Sequence, residues 1–467
     1  MQIRTIAAVA ALLLMSLIHG SARAGETFAP EEDTGYRGIW YQIRGKGPGG
    51  ASYTKYSGGM ATYPQQIRPL AIYAKAADKT FFVYGGRSKE KNELLHMVAY
   101  FDHTTGTVPR PRILLNKQTA DAHDNPALAI DAAGHLWVFS NTHGPEERSS
   151  IHRSVEPYSI DRFERVAEKI SLSYGQPWYL DGHGFLLIQN RYTDGRAIAF
   201  QTSADGRAWS PPALLAQIKG HYQVSAPSPD GKRLGLMFNY HPKGLDTRTN
   251  LYYVETPDFG ATWRTAGGEA QTVPLRDVKN AALVRDYESE GLLVYLKDVQ
   301  FDPAGNPILL YLTSKHHLPG AEFGPHTWRT AHWTNGAWRI RDVTTSDHNY
   351  DFGQLYVEGS RWRVLAPTDP GPQPFTTGGE VVLWESNDEG ATWKRVKSIT
   401  AGSRLQQTFV RRPVNAHPQF YAFWADGDAE RESASSLYFT DKDGSAVWTL
   451  PAEMTAEFEK PSPRVNP

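Results

Sequence analysis

Residues 121–144 read DAHDNPALAIDAAGHLWVFSNTHG. Two apolar runs, 125–130 and 135–140, flank a turn in which Asp131 offers a local acceptor and Gly134 a permissive backbone. In an antiparallel pair the start of the first strand and the end of the second share one edge. The hairpin therefore sets His123 beside His143, two imidazoles on one rim.

The same hairpin recurs along the chain. Its turns fall at Asp78, Asp131, Asp181, Asp230, Asp302, Gly359 and Asn415, at intervals of 53, 50, 49, 72, 57 and 56 residues. Only the fourth interval is long, which predicts an insertion between Pro274 and Gly291. Between the hairpins lies a second unit: a strand, an acidic or glycine turn, then usually Trp. Two copies carry the pattern S/T-x-D-x-G-x-T-W clearly, at 256–263 and 386–393. These Asp boxes read as turn closures on outer strands, away from any chemistry. Hairpin plus second unit makes four strands, and the alternation predicts an all-β, single-domain, seven-bladed β-propeller with four-stranded blades. A tandem of two β-sandwiches is the alternative, and the even repeat weighs against it. Residues 38–41 are expected to supply the closing strand of the last blade.

Arg4, the apolar stretch 6–18 and Ala22-Arg23-Ala24 fit an export signal over residues 1–24, leaving 25–467 for the propeller. The apolar core is too short to span a bilayer permanently, so an exported protein, periplasmic or secreted, is expected, without a membrane anchor. The chain has no cysteine, which removes disulfides, thiolate metal ligands and cysteine nucleophiles. A formal net charge of −1 gives no global argument for nucleic acid or an anionic membrane.

Propeller geometry turns the repeat into a site prediction, because the loops entering each first strand and leaving each second strand open on one face. Those loops carry His123, His143, Tyr174, Arg191 and Tyr240. They also carry Arg68, Asn125, Gln176, Tyr192, Tyr222, His241, His348 and Tyr350. Carboxylates are few: Asp124, Asp351 and Asp426. A glycosidase needs two placed carboxyl groups. His, Tyr and Arg instead suit β-elimination from a uronic acid, in which a base takes the C5 proton and an acid protonates the departing 4-oxygen. Arg can neutralise the adjacent carboxylate through its planar fork. Taken singly, a rim histidine is more often an ordinary hydrogen-bonded surface group. His316-His317 point in opposite directions if extended, and no spacing signature marks a metal site, so no metal and no cofactor are expected; a structural calcium ion stays open.

The Asp boxes, the segment YSGGMATY at 56–63, the DNP stretch after His123 and SNTHG around His143 resemble the BNR-repeat propellers that include ulvan lyases. The resemblance covers most of residues 25–467. It implies cleavage of an acidic, uronate-containing polysaccharide, ulvan or something close, by β-elimination that leaves unsaturated uronate ends. It further implies His123 as general base or acid with His143 beside it, Tyr174 as partner proton carrier, and Arg191 as carboxylate neutraliser. Tyr240 would be a further substrate or proton-transfer residue, with Tyr222 the alternative for that position. The remaining rim residues named above are expected to contact substrate, and a monomer is expected. The rival readings are a rhamnosidase- or sialidase-like hydrolase on the same scaffold and a non-catalytic sugar-binding propeller.

Overall fold

Each recurring hairpin forms the two inner strands of one blade. The computed structural model describes residues 25–464 apart from 51, 145–147 and 194; the expected export signal lies outside the described residues. Blade 1 comprises Ala71–Ala74, Lys79–Arg87, Leu94–Asp102 and Arg112–Asn116, and blade 2 Pro126–Ile130, Leu136–Ser140, Ser149–Ser154 and Phe163–Ile170. Blade 3 follows with Ser173–Leu180, Gly184–Tyr192, Arg196–Ser203 and Ala213–Ala216. Blades 5, 6 and 7 start at Leu293–Phe301, Gln354–Glu358 and Gln406–Arg411 and repeat the same antiparallel order. The seven-bladed propeller read from the repeat is the fold.

Blade 4 explains the long interval. After Gln223–Pro227, Leu234–Tyr240 and Thr249–Thr256 the chain makes a small extra hairpin, Trp263–Arg264 with Ala270–Gln271. It then returns as Leu283–Arg285 to pair with the third strand, Leu251 opposite Arg285. The predicted insertion thus supplies an outer strand of this blade.

Alternation along the strands puts aromatic side chains between blades, where they stitch neighbours together. Trp137 meets Phe185 at 5.0 Å between ring centroids, Phe200 meets Trp263 at 5.3 Å, and Tyr253 meets Trp338 at 5.6 Å. Tyr356 stacks on Tyr421 at 4.1 Å, and Phe82 on Phe420 at 5.7 Å, which joins blade 1 to blade 7. Each such pair is worth about 0.5–1.5 kcal/mol beyond its burial. The Asp boxes do what was expected of them: Asp258 accepts from Thr256 Oγ1 at 3.0 Å, Thr262 N at 2.8 Å and Thr262 Oγ1 at 2.6 Å.

Closure differs from the expectation. Blade 7 is built from C-terminal strands alone, and residues 38–41 do not complete it. Gly38 passes between blades, its N–H on the Ser435 carbonyl at 2.9 Å while it bridges to Gly86. The chain then forms a separate hairpin, Trp40–Lys46 with Ser52–Gly59. This hairpin presses on blade 7 so closely that a Cβ on Gly59 would lie 1.5 Å from the Asp426 carbonyl oxygen. The ends are sewn elsewhere: Thr27–Phe28 extends blade 2, Glu31–Glu32 extends blade 1, and Phe458–Glu459 pairs with Val108–Pro109.

The turn that follows the hairpin fills the axis of the ring. Thr62 Oγ1 donates to the Phe409 carbonyl at 2.9 Å, Gln65 to that of Lys297, and Arg68 Nη1 to that of Ser225 at 3.3 Å. The Pro69 carbonyl accepts from Leu128 N at 2.8 Å. One short segment is thereby tied to blades 2, 4, 5 and 7.

Candidate active site

The hairpin geometry brings the two imidazoles together. His123 and His143 stack with centroids 4.1 Å apart and planes at 20°. Asp121, just ahead of the first strand, holds both: one carboxylate oxygen accepts from the His123 N–H at 2.9 Å and from its Nδ1, and the other from His143 Nδ1 at 2.7 Å. With Nδ1–H committed, the single Nε2 lone pair of His123 faces two hydroxyls, Tyr56 at 3.1 Å and Tyr63 at 2.9 Å. His123 is buried, whereas the His143 side chain keeps 35% of its surface. Burial pushes the His123 pKa down against the opposing pull of Asp121. For Asp121, burial works upward, but the two imidazoles outweigh it and hold the carboxyl below the ordinary range.

Across from this dyad stands a cluster of tyrosines and guanidiniums. Tyr174 lies edge-on to both imidazoles, at 6.0 and 6.2 Å, and edge-on to Tyr222 at 5.4 Å. A register shift between Ser173 and Gln176 aims it there, and Tyr174 sits at φ +52°, a left-handed backbone that a bulky residue seldom adopts. Arg196 lies over Tyr222 at 4.7 Å and over Tyr174 and Tyr192 at 5.2 Å each. Arg248 lies over Tyr222 at 5.0 Å and Tyr295 at 4.6 Å, and its Nη2 donates to Tyr350 Oη at 3.0 Å. Burial raises the Tyr174 pKa well above the usual phenol value. Tyr222 is equally enclosed, yet its two guanidiniums reverse the effect of burial and bring it below that value. Beside them Lys55, Tyr56, Tyr63, Gln66, Arg248 and Tyr350 line a cavity of about 340 Å³ including its mouth.

Arg196 is the informative residue. It is only 9% exposed, yet its Nε and Nη1 have no hydrogen-bond partner among the described residues. Buried donors are rarely left so. Nε–H and Nη1 lie on different edges of the guanidinium, so Arg196 has donors to offer an anionic group on more than one side.

Of the residues expected from sequence, the structure brings together His123, His143, Tyr174, Tyr222 and Tyr350. Tyr192 lies at the margin and His241 stands behind Tyr222, 5.0 Å from it. His348 stands behind Tyr350, accepting from its backbone N–H at 3.2 Å. Five others lie apart from the cluster. Arg191 Nη1 reaches the Ser171 carbonyl at 3.4 Å, and Tyr240 points into the packing of blade 4, against Tyr252 and the Glu288 carboxylate. Arg68 turns down the axis to Asp298 at 2.9 Å. Asn125 holds the Met60 carbonyl at 3.0 Å, and Gln176 that of Gln223 at 3.0 Å. For Gln176, Arg191 and Tyr240, which lie in strands, the reason is strand parity: neighbouring residues face opposite sides; Arg68 and Asn125 lie in turns outside the strands.

Sequence reasoning passed over Asp121, Tyr56, Tyr63, Arg196 and Arg248. The YSGGMATY segment was visible, and the Asp two residues before His123 could have been read as an imidazole orienter. Nothing local marks the two arginines. Asp121, His123 and His143 also form a donor set whose ligand atoms lie within 4.8 Å of one another. Here both Nδ1 atoms are engaged with the carboxylate.

The model of a BNR repeat-containing family member matches residues 77–346, more than half of the chain and most of blades 1–5. The chain belongs to the BNR repeat-containing family. Among curated proteins, this BNR propeller is 22% identical to an ulvan lyase of Nonlabens ulvanivorans over 341 residues, 65% of this chain and 70% of that one. Among solved structures it is similar to a PL25 ulvan lyase, with a TM-score of 0.69 at 17% identity, covering 89% of this chain and 96% of that chain. It is also similar to the polysaccharide lyase Uly1, with a TM-score of 0.61 at 12% identity over 89% and 100% of the two chains.

Proposed function

We propose that this protein is an exported polysaccharide lyase that cleaves a uronate-containing polymer, ulvan or one like it, by β-elimination. The observation that carries the reading is Arg196, a buried guanidinium with two unpartnered nitrogens, lying over Tyr174 and Tyr222 where Tyr174 meets the histidine pair. The similarity to ulvan lyases points the same way.

The uronate carboxylate pairs with Arg196, with Arg248 adding positive charge from the far side of Tyr222. Neutralising the carboxylate acidifies the C5 proton. His143 Nε2 takes that proton, and the imidazolium that forms is stabilised by Asp121. The C5–H electrons become the C4–C5 double bond as the C4–O4 bond breaks. The Tyr222 hydroxyl protonates the departing oxygen, and the phenolate left behind is stabilised by its two guanidiniums. Tyr174 forms the floor between the two proton carriers. His123, tied to Asp121, Tyr56 and Tyr63, orients the dyad rather than meeting the sugar.

The same observations weigh against a hydrolase. Asp351 accepts from the backbone N–H groups of His348 and Gly378, and Asp426 from Ser436 N and Tyr438 Oη. Asp124 accepts from His143 N at 2.6 Å. None of the three is placed as one of a glycosidase pair. The test is ultraviolet absorbance during incubation with ulvan. A rise that Arg196→Ala abolishes supports the reading; flat absorbance with rising reducing sugar sinks it.

A further inference from the structure

Beneath the axial turn lies a second, separate cavity, with no lining residue in common with the one beside Tyr222. It encloses about 300 Å³ including its mouth, and its polar walls are Arg68, Arg411, Arg412 and Gln354, closed by Trp178 and Val414. Three guanidiniums meet here, two of them almost fully buried: Arg68 is 6% exposed and Arg411 3%.

Their charge is not balanced. Asp298 is the one carboxylate within salt-bridge distance of any of the three among the described residues, 2.9 Å from Arg68 and 3.6 Å from Arg412. Arg411 has neutral acceptors only: Gln65 Oε1 at 2.9 Å and the carbonyls of Pro64 and Ile67. Arg412 leaves its Nε without a hydrogen-bond partner among the described residues. Burying cations in excess of their counter-charge is costly, and the excess here is two. Burial above all, with repulsion from a neighbouring guanidinium behind it, lowers the pKa of Arg68 and Arg411 against the pull of Asp298.

We infer that this axial cavity is a binding site for a small inorganic anion, held by Arg412 Nε and the facing guanidiniums of Arg68 and Arg411. The anion restores the local charge balance and braces the axial turn from below. That turn carries Tyr63, which hydrogen-bonds His123, so the site acts on the reaction only by holding its support in place. The inference is independent of the lyase reading.

The full-length protein, dialysed into sodium gluconate, is titrated with sodium chloride or sodium sulfate at matched ionic strength while thermal unfolding is followed. A saturable rise of about 1–3 °C is expected for the anion that binds. The rise should vanish in Arg412→Gln, a change at a partly exposed residue outside the catalytic cluster. Saturation by chloride assigns a halide-sized occupant, and saturation by sulfate alone assigns an oxyanion; both support the site. Where chloride saturates, bromide-soaked crystals of the unaltered protein should show an anomalous peak between the three guanidiniums, and where sulfate alone saturates, selenate-soaked crystals should show it; either readout survives if the variant fails to fold. Identical melting curves in gluconate, chloride and sulfate overturn the inference, as does a bromide or selenate peak without any thermal effect, which would be an adventitious ion only.

Discussion

Asp258 and Asp121 each accept three hydrogen bonds from residues close by, and they do opposite jobs. Asp258 spends all three on the turn that contains it, two residues back and four residues on. Delete its neighbours in space and the turn would still close. Asp121 spends one bond on its own turn and two on imidazole rings, one of which comes from 22 residues later across the hairpin. A carboxylate that serves its own turn can be read as a pattern in the sequence. A carboxylate that positions other groups becomes legible only when the strand pairing is known.

Replacing each Asp by Asn is the sharpest way to break this comparison. Asp121→Asn should lower the rate of unsaturated-product formation by about 10²–10⁴-fold, because the amide cannot hold both Nδ1–H groups or stabilise an imidazolium. Asp258→Asn should leave the rate within about twofold and cost about 1–2 kcal/mol of stability in denaturant titration. Equal rate losses would mean that Asp121 is merely another turn residue.

The arginines extend the contrast. Arg196→Ala should cost about 100-fold or more in kcat/KM through loss of carboxylate neutralisation, while Arg191→Ala should change it by less than about threefold. A reversal of that order would restore Arg191 to the role expected from the sequence resemblance. In the same way, Tyr222→Phe should lower the rate by about 100-fold, and Tyr240→Phe, which loses only its bond to Glu288, should be near neutral.

A smaller effect is expected from the close approach of hairpin and ring. Gly59→Ala puts a methyl group against the Asp426 carbonyl and should cost about 1–3 kcal/mol, read as a lower denaturant midpoint.

The smallest concerns imidazoles buried away from the candidate site. Burial holds His221 and His326 at about 4 and His152 and His348 at about 3. Their folded values lie below the unfolded value of about 6.5, so the unfolded chain takes up protons first. Their contribution is complete above pH 6.5 and is lost as pH falls towards 4. Asp124 and Asp426, raised to about 6 by burial, oppose this over part of the range. The melting temperature should therefore fall modestly from pH 7 to pH 5; a rise would show that the carboxyls win.

The fold was legible because a propeller repeats its cues: the turns at Asp131, Asp181 and Asp230 announce inner hairpins, and Trp263 and Trp393 close outer ones. Half of the candidate site was legible for the same reason, since His123 and His143 belong to a single hairpin. The other half is assembled from blade 3, blade 4 and a hairpin that precedes blade 1, segments whose approach depends on ring closure. Tyr240 shows the limit at its narrowest. It ends a strand whose rim position was read correctly, but its side chain faces the blade packing while Tyr222, at the mouth of the neighbouring strand, faces the arginines.

The axial turn described above has a consequence for any long ligand. Its side chains and carbonyls are pinned to strands on several sides of the ring, so the wheel has a stoppered hub. A polymer cannot be threaded through it and can only be laid across it, like a cable over a closed axle. Such a grip requires no free end, so under the proposed reaction a sugar in the middle of a chain would come to Arg196 as directly as one at its tip.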